Sequence, residues 1–200
     1  RQQVLRVDAG TPVKNSNHAQ AIRRSLESRL KHADAVLISD YGYGTVTPTL
    51  VSTLGTSRIP VTLDSRFVIG DYKGMTAATP NEPEVEATLG IQIGNDLEKL
   101  EWAGRTLLRR LKHKAVLITR GKDGMALFER KRKTIHIPIY GTDEIVDVTG
   151  AGDTVVAALS LALAAGANMK DSAVFANQAA AIAVGRIGTQ AVGSQDMIKE

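Results

Sequence analysis

Residues 147–154 read DVTGAGDT, and an apolar, alanine-rich run, VVAALSLALAAG, follows at once. Gly150, Ala151 and Gly152 allow a tight turn and let a ligand approach the main chain. The run behind them reads as a helix whose unpaired N–H groups and positive dipole end point back at that turn. Such a start is an anion site. Asp153 stands in the same turn, where a carboxylate repels phosphate at close range, and two readings of it are open. It is a structural cap of the helix, or it faces a substrate hydroxyl and accepts its proton while adjacent amides hold the charge on a transferring phosphoryl group.

Other polar residues with chemical potential stand directly after apolar stretches: Asp40 in ISDYGYG, Asp64 in TLDSR, Asn81 in ATPNEPE, Arg120 in ITRGKDG and Asp147 before the glycine turn. Asp and Asn also start turns and cap helices, so each alone has a structural explanation. Competing motifs are absent. The only Gly-Lys pair, Gly121-Lys122, is followed by Asp123, which breaks a Walker A pattern, and neither H-E-x-x-H nor G-x-S-x-G occurs. A dinucleotide fingerprint would need its third small residue at Val155, which is too large.

These residues need elements to position them, and the chain alternates β-like with helical runs. Strands are expected over 33–39, 59–65, 74–80, 115–121, 124–128 and 133–139, with helices over 47–55, 81–90, 95–114, 151–165 and 170–186. Leu97, Leu100, Leu107, Leu108 and Leu111 mark one face of the 95–114 helix, with Asn95 or Asp96 as its cap. This alternation predicts a largely parallel sheet covered on both faces. In such sheets ligands bind beyond the carboxyl ends of the strands, where the five polar loop starts fall.

With 43% hydrophobic residues over 200 positions, the chain suits one globular domain with a sizeable core. Having no cysteine, it has no disulfide framework and no thiolate metal site. It shows no signal-peptide pattern and no apolar run long enough for a bilayer, so a cytoplasmic protein with no membrane partner is expected. The net charge of +4 invites a nucleic-acid reading. Its densest basic run, Glu129 to Lys133, lies between two β-like stretches where a solvated hairpin turn needs polar residues. Three Phe, four Tyr and one Trp supply a base-stacking platform poorly. Anionic small molecules, rather than nucleic acid, are the expected partners.

DVTGAGDT resembles the C-terminal signature of the ribokinase-like (PfkB-type) sugar kinases. NEPE (81–84) resembles that family's Asn-x-x-Glu motif, TRGKDG (119–124) its Thr-x-Gly-x-x-Gly nucleotide loop, and all three occur in the family's order. The segments FANQAAAIAVGRIGT, QQVLRVDAG and SDYG further resemble the heptose-7-phosphate kinase subgroup of lipopolysaccharide-precursor enzymes. The resemblance implies a three-layer α/β/α sandwich with a mostly parallel central sheet. It also implies ATP-dependent phosphoryl transfer to a hydroxyl of a sugar or sugar phosphate, with heptose 7-phosphate as the favoured acceptor. Asp153 would be the base, and Gly150, Ala151 and Gly152 the anion hole. Asn81 and Glu84 would organise Mg²⁺ and its waters, Thr119, Gly121 and Gly124 would line the nucleotide phosphates and ribose, and Asn177 would lie near the adenine. Asp147 would shape the loop or serve a monovalent-cation site. Asp40 and Asp64 are candidates for substrate or metal-water contacts.

The sequence departs from the family pattern in places. The Gly-rich substrate motif and lid strands that open family members find no counterpart. Residues 1–200 are therefore expected to be the C-terminal, nucleotide-binding part of one sugar-kinase domain, truncated at the N-terminus, with 1–18 a remnant of the lid and substrate region. An exposed sheet edge and apolar surface would favour self-association as a homodimer, and an inactive isolated part is compatible with this reading. Tyr43 stands where the heptose subgroup has a basic residue, and Arg66 follows LDS where Asp-Pro-Lys or Asp-Pro-Arg is usual. The alternative reading is a nucleotide- or phosphometabolite-binding fragment without turnover.

Overall fold

The computed structural model describes residues 16–141 and 147–198. Within them a six-stranded sheet runs in spatial order β1 (Val36–Asp40), β2 (Val61–Ser65), β3 (Ala77–Ala78), β4 (Ala115–Thr119), β5 (Met125–Glu129) and β6 (Ile135–Ile137). The first four strands pair in parallel; β5 is antiparallel to both of its neighbours. Two reversals leave β6 pointing the same way as β1–β4. The carboxyl ends of five strands therefore share one edge of the sheet, and the chain leaving β6 reaches the glycine turn on that edge.

Seven α-helices accompany the sheet in the described residues: α1 (Ser16–Leu30), α2 (Pro48–Val51), α3 (Glu82–Leu89), α4 (Leu97–Leu111), α5 (Ala151–Ala164), α6 (Met169–Val184) and α7 (Ser194–Ile198). Side chains along β4 alternate between two cores, as the two-residue period of a strand requires. Val116 and Ile118 pack with Leu100, Leu107 and Leu111 of α4, whereas Ala115 and Leu117 pack with Val155 and Leu159 of α5 and Ala176 of α6. A sheet buried on both faces between helical layers is the expected three-layer α/β/α sandwich.

Local chemistry explains where the helices begin. Asp96 caps α4, its Oδ1 accepting from the amides of Glu98 and Lys99, and the helix ends at Lys112 in a left-handed conformation. Gly90, also left-handed, ends α3. The expected strand at 74–80 shrinks to two residues, and the expected helix over 47–55 divides into α2 and a 3₁₀ turn at Ser52–Thr56. The basic run forms the turn between β5 and β6: Arg132 pairs with Glu129 at 3.4 Å, and Arg130 Nε donates to the His113 carbonyl at 3.0 Å.

The sequence reading did not anticipate α1. Its Ile22, Leu26 and Leu30 form a single stripe at four-residue spacing on a mostly polar segment, and this stripe packs against the α4 side of the core. Residues 16–18 begin this helix; the rest of the expected 1–18 lid remnant lies outside the described residues.

Candidate functional site

The carboxyl ends of the strands and the start of α5 meet around a cavity of about 340 Å³. Asp40, Asp64, Asn81, Glu84, Thr119, Gly150, Gly152 and Asp153 all line it. Tyr41 and Arg66, which the sequence reading did not select, line it too. Each follows a strand-ending acid closely, and that position was the available signal. Arg66 is the one basic side chain among the lining residues.

Asp153 is not the cap of α5. Gly150 holds that position at φ +81°, without a side-chain cap, and Asp153 is the third helical residue. Its Oδ1 accepts a hydrogen bond from the Tyr41 hydroxyl at 2.8 Å. The Ala151 amide donates to the Val148 carbonyl at 3.2 Å, closing the turn, and the Thr154 amide opens the helical ladder by donating to Gly150 at 2.9 Å. Between them, the Gly152 and Asp153 amides have no hydrogen-bond partner among the described residues. The Gly150 amide is likewise without a partner among the described residues, so two of the three amides of the Gly-Ala-Gly reading remain for an anion, with the Asp153 amide beside them.

Asn81 and Glu84 form a capping box at the start of α3. Asn81 Oδ1 accepts from the Glu84 amide at 2.8 Å, and Glu84 Oε2 accepts from the Asn81 amide at 3.0 Å. Burial pushes the Glu84 carboxyl up, against the lowering effect of the Asn81 bonds and of Arg66. Asp64 is pushed up to about 6, first by burial and then by the charges of Glu84 and Asp153. Its carboxylate accepts no hydrogen bond from the described residues. Two partly buried carboxylates that repel one another fit a divalent cation with retained waters. No three potential ligand side chains converge among the described residues, so such an ion would draw the rest of its shell from water and phosphate oxygens, which suits Mg²⁺.

Asp40 is buried with both oxygens engaged: Oδ1 accepts from the Gly42 amide at 2.8 Å, and Oδ2 accepts from the Tyr72 hydroxyl at 2.7 Å and from Ser65 Oγ at 3.3 Å. It braces the site from beneath. Asp147 braces the glycine turn, accepting from the amides of Thr149 at 2.9 Å and Gly188 at 3.1 Å, and hydrogen bonds from these partners hold its carboxyl below the usual range. Of its two readings, shaping the loop is the one these contacts support.

On the other side of Thr119, Val148 and Gly152, which line both spaces, lies a mainly apolar cavity of about 150 Å³. Gly121, Gly124, Val155, Asn177 and Ala180 line it, so the residues expected around the nucleotide are brought together. Gly124 adopts φ +73°, and a Cβ there would stand 2.1 Å from the Ile137 carbonyl oxygen, so only glycine closes this loop. Asn177 Nδ2 donates to the Pro138 carbonyl at 2.8 Å. Arg120, which starts the loop, is held in a largely buried pair with Glu82 at 2.8 Å. A larger open groove of about 990 Å³ between α3 and α4, beside Trp102, contains none of the candidate residues.

The model of the pfkB family of carbohydrate kinases matches residues 71–196, a span that includes the Asn81–Glu84 box, the Thr119–Gly124 loop and the α5 turn. The chain belongs to that family. Among curated pfkB relatives, Bifunctional protein HldE of Citrifermentans bemidjiense is 42% identical over 207 residues, covering 100% of this chain and 42% of its own length. The chain thus spans about two-fifths of that relative's length. Solved pfkB-like folds include Arabidopsis thaliana ribokinase complexed with ribose and ATP, with TM-score 0.73 and 23% identity over 94% of this chain and 59% of that one. Escherichia coli phosphofructokinase-2 in complex with potassium has TM-score 0.73 and 21% identity over 88% of this chain and 60% of that one. No helix among the described residues is long and apolar enough to cross a membrane.

Proposed function

We propose that this chain is the nucleotide-binding, base-bearing part of an ATP-dependent kinase whose acceptor is a hydroxyl of a sugar or sugar phosphate, with heptose 7-phosphate as the favoured substrate. The observation that carries the reading is the position of Asp153. Its carboxylate stands in the first turn of α5, beside the Gly152 and Asp153 amides, which have no partner among the described residues, and facing the cavity that holds Asp64 and Glu84. A structural carboxylate would bond those amides; this one bonds Tyr41 across the cavity instead.

In this mechanism ATP lies along the Thr119–Gly124 loop, with its base toward the apolar cavity beside Asn177. The Gly152 and Asp153 amides and the α5 dipole receive the charge of the transferring phosphoryl group. Asp153 accepts the acceptor proton as the oxygen–phosphorus bond forms and ADP leaves. Magnesium, held through Glu84, Asp64 and water, would neutralise phosphate charge. ATP in the Arabidopsis ribokinase complex and the heptose-kinase resemblance of the sequence support the choice of substrates.

The test is turnover of ATP with heptose 7-phosphate and with unphosphorylated sugars. Asp153→Asn keeps the size of the side chain but not the base, and it should lower kcat by about two to four orders of magnitude with nucleotide binding retained. Unchanged turnover, or ATP binding no tighter than inorganic phosphate, would overturn the reading.

A further inference from the structure

The hydrogen bond between Tyr41 and Asp153 joins residues 112 positions apart and links the β1 loop to the first turn of α5. It is the only side-chain bond that Asp153 makes among the described residues. An exposed aspartate has two rotatable bonds and two equivalent oxygens, and a base for in-line transfer must keep one oxygen on the acceptor. Something has to choose which.

Tyr41 is mounted to make that choice. Its carbonyl-side neighbour Gly42 donates to Asp40 Oδ1 at 2.8 Å, and the Asp40 carboxylate is itself pinned by Tyr72 and Ser65. The Asp40 carbonyl accepts from the Arg66 amide at 3.1 Å, tying the loop to the end of β2. Gly42 sits at φ +76°, with the Phe67 ring 2.8 Å from where a Cβ would stand, so the turn is closed from that side as well. The phenol is thus presented from a braced loop.

We propose that Tyr41 is a positioning residue for the phosphoryl-transfer step: its hydroxyl holds Asp153 Oδ1, leaving Oδ2 as the oxygen that takes the acceptor's proton. The inference rests on the reading of Asp153 as base. Tyr41 is pushed up to about 12, chiefly by the Asp153 bond, so near neutrality it donates and never competes as a base. Through the reaction it keeps its proton; the acceptor proton passes to Oδ2, the new oxygen–phosphorus bond forms, and the bond to ADP breaks.

The test compares Tyr41→Phe, Asp153→Asn and the double variant, reading kcat and KM for acceptor and ATP separately. Tyr41→Phe keeps the ring, and a melting curve checks its fold. Loss of a hydrogen bond to a charged group predicts a fall in kcat of about 10- to 100-fold, with KM for ATP unchanged. In the Asp153→Asn background the same substitution should change kcat less than about 3-fold, because the group it orients is gone. Three results overturn the proposal: unchanged kcat in Tyr41→Phe, a lower acceptor KM with kcat kept, which would make the phenol a plug in the acceptor's place, or fully additive effects. Retained turnover in Asp153→Asn alone is a different outcome and removes the base reading itself.

Discussion

Asn81 and Glu84 bind each other's backbone amides at 2.8 and 3.0 Å, so the same two residues that border the acidic cavity also start α3. A motif that resembles a metal-organising pair is at the same time a helix cap. Asn81→Ala should cost about 1 kcal/mol of stability. Asn81→Asp, also a good cap, should recover the melting temperature but not the Mg·ATP turnover, because it adds a carboxylate beside Asp64 and Glu84. Equal recovery of both would mean that the pair acts only through the helix.

Gly150 and Gly152 separate stability from ligand binding. At Gly150, φ is +81° and a Cβ would lie 3.0 Å from Thr189 Cγ2, so Gly150→Val should destabilise the fold by about 1–3 kcal/mol. Gly152 is helical and a Cβ there meets nothing within 4 Å, so Gly152→Ala should melt no lower than the parent and could gain up to about 1 kcal/mol. The added methyl group projects beside the unpaired amides. Calorimetric titration with ATP should therefore show weaker binding by Gly152→Ala despite an intact fold; undiminished affinity would move the phosphates elsewhere.

Asn177 is buried, and its amide holds the Pro138 carbonyl next to the apolar cavity. Asn177→Ala leaves that carbonyl without its donor, at a cost of about 1–3 kcal/mol. Binding of ATP and ADP should weaken together, since the two share the base and ribose. A change confined to ATP would place Asn177 near the terminal phosphate instead.

His113 sets a limb of the acid stability. It is fully buried between α4 and β4, Nδ1 accepts from the Met75 amide at 3.0 Å, and Nε2 has no hydrogen-bond partner among the described residues; burial, followed by Lys73 and Arg130, lowers its pKa from 6.5 to about 4. The folded state thus binds fewer protons than the unfolded one. The stabilisation is complete above pH 6.5 and is lost as pH falls through about 4, amounting at most to roughly 3 kcal/mol. Denaturant titrations of His113→Gln should show a shallower decline between these pH values. An unchanged slope would assign the acid limb to carboxylates.

Much of the architecture was readable because it rests on local chemistry. Apolar runs bounded by Pro, Gly and Asp marked β1, β2 and β4 to within a few residues, and the Asn95-Asp96 pair marked the start of α4, where Asp96 is the cap. The weak apolar stripe of α1 fell below notice because its three contact residues have meaning only beside the core they cover. Equally, β3 kept two residues of an expected seven, since neighbouring strands and not intrinsic preference decide how much of a segment pairs.

By itself the sequence determined the chemistry on offer: glycines where the main chain must be bare, acids after strands, and a family signature whose model matches residues 71–196. Only the tertiary structure decided what each acid does. Asp40 and Asp147 spend their oxygens on neighbouring donors, Asp64 meets no donor among the described residues, and Asp153 turns from its own helix to Tyr41. The reason is physical: residue type sets what a group can donate or accept, but its partners and its solvent are set by segments far away in sequence, brought together when the sheet edge closes on the start of α5.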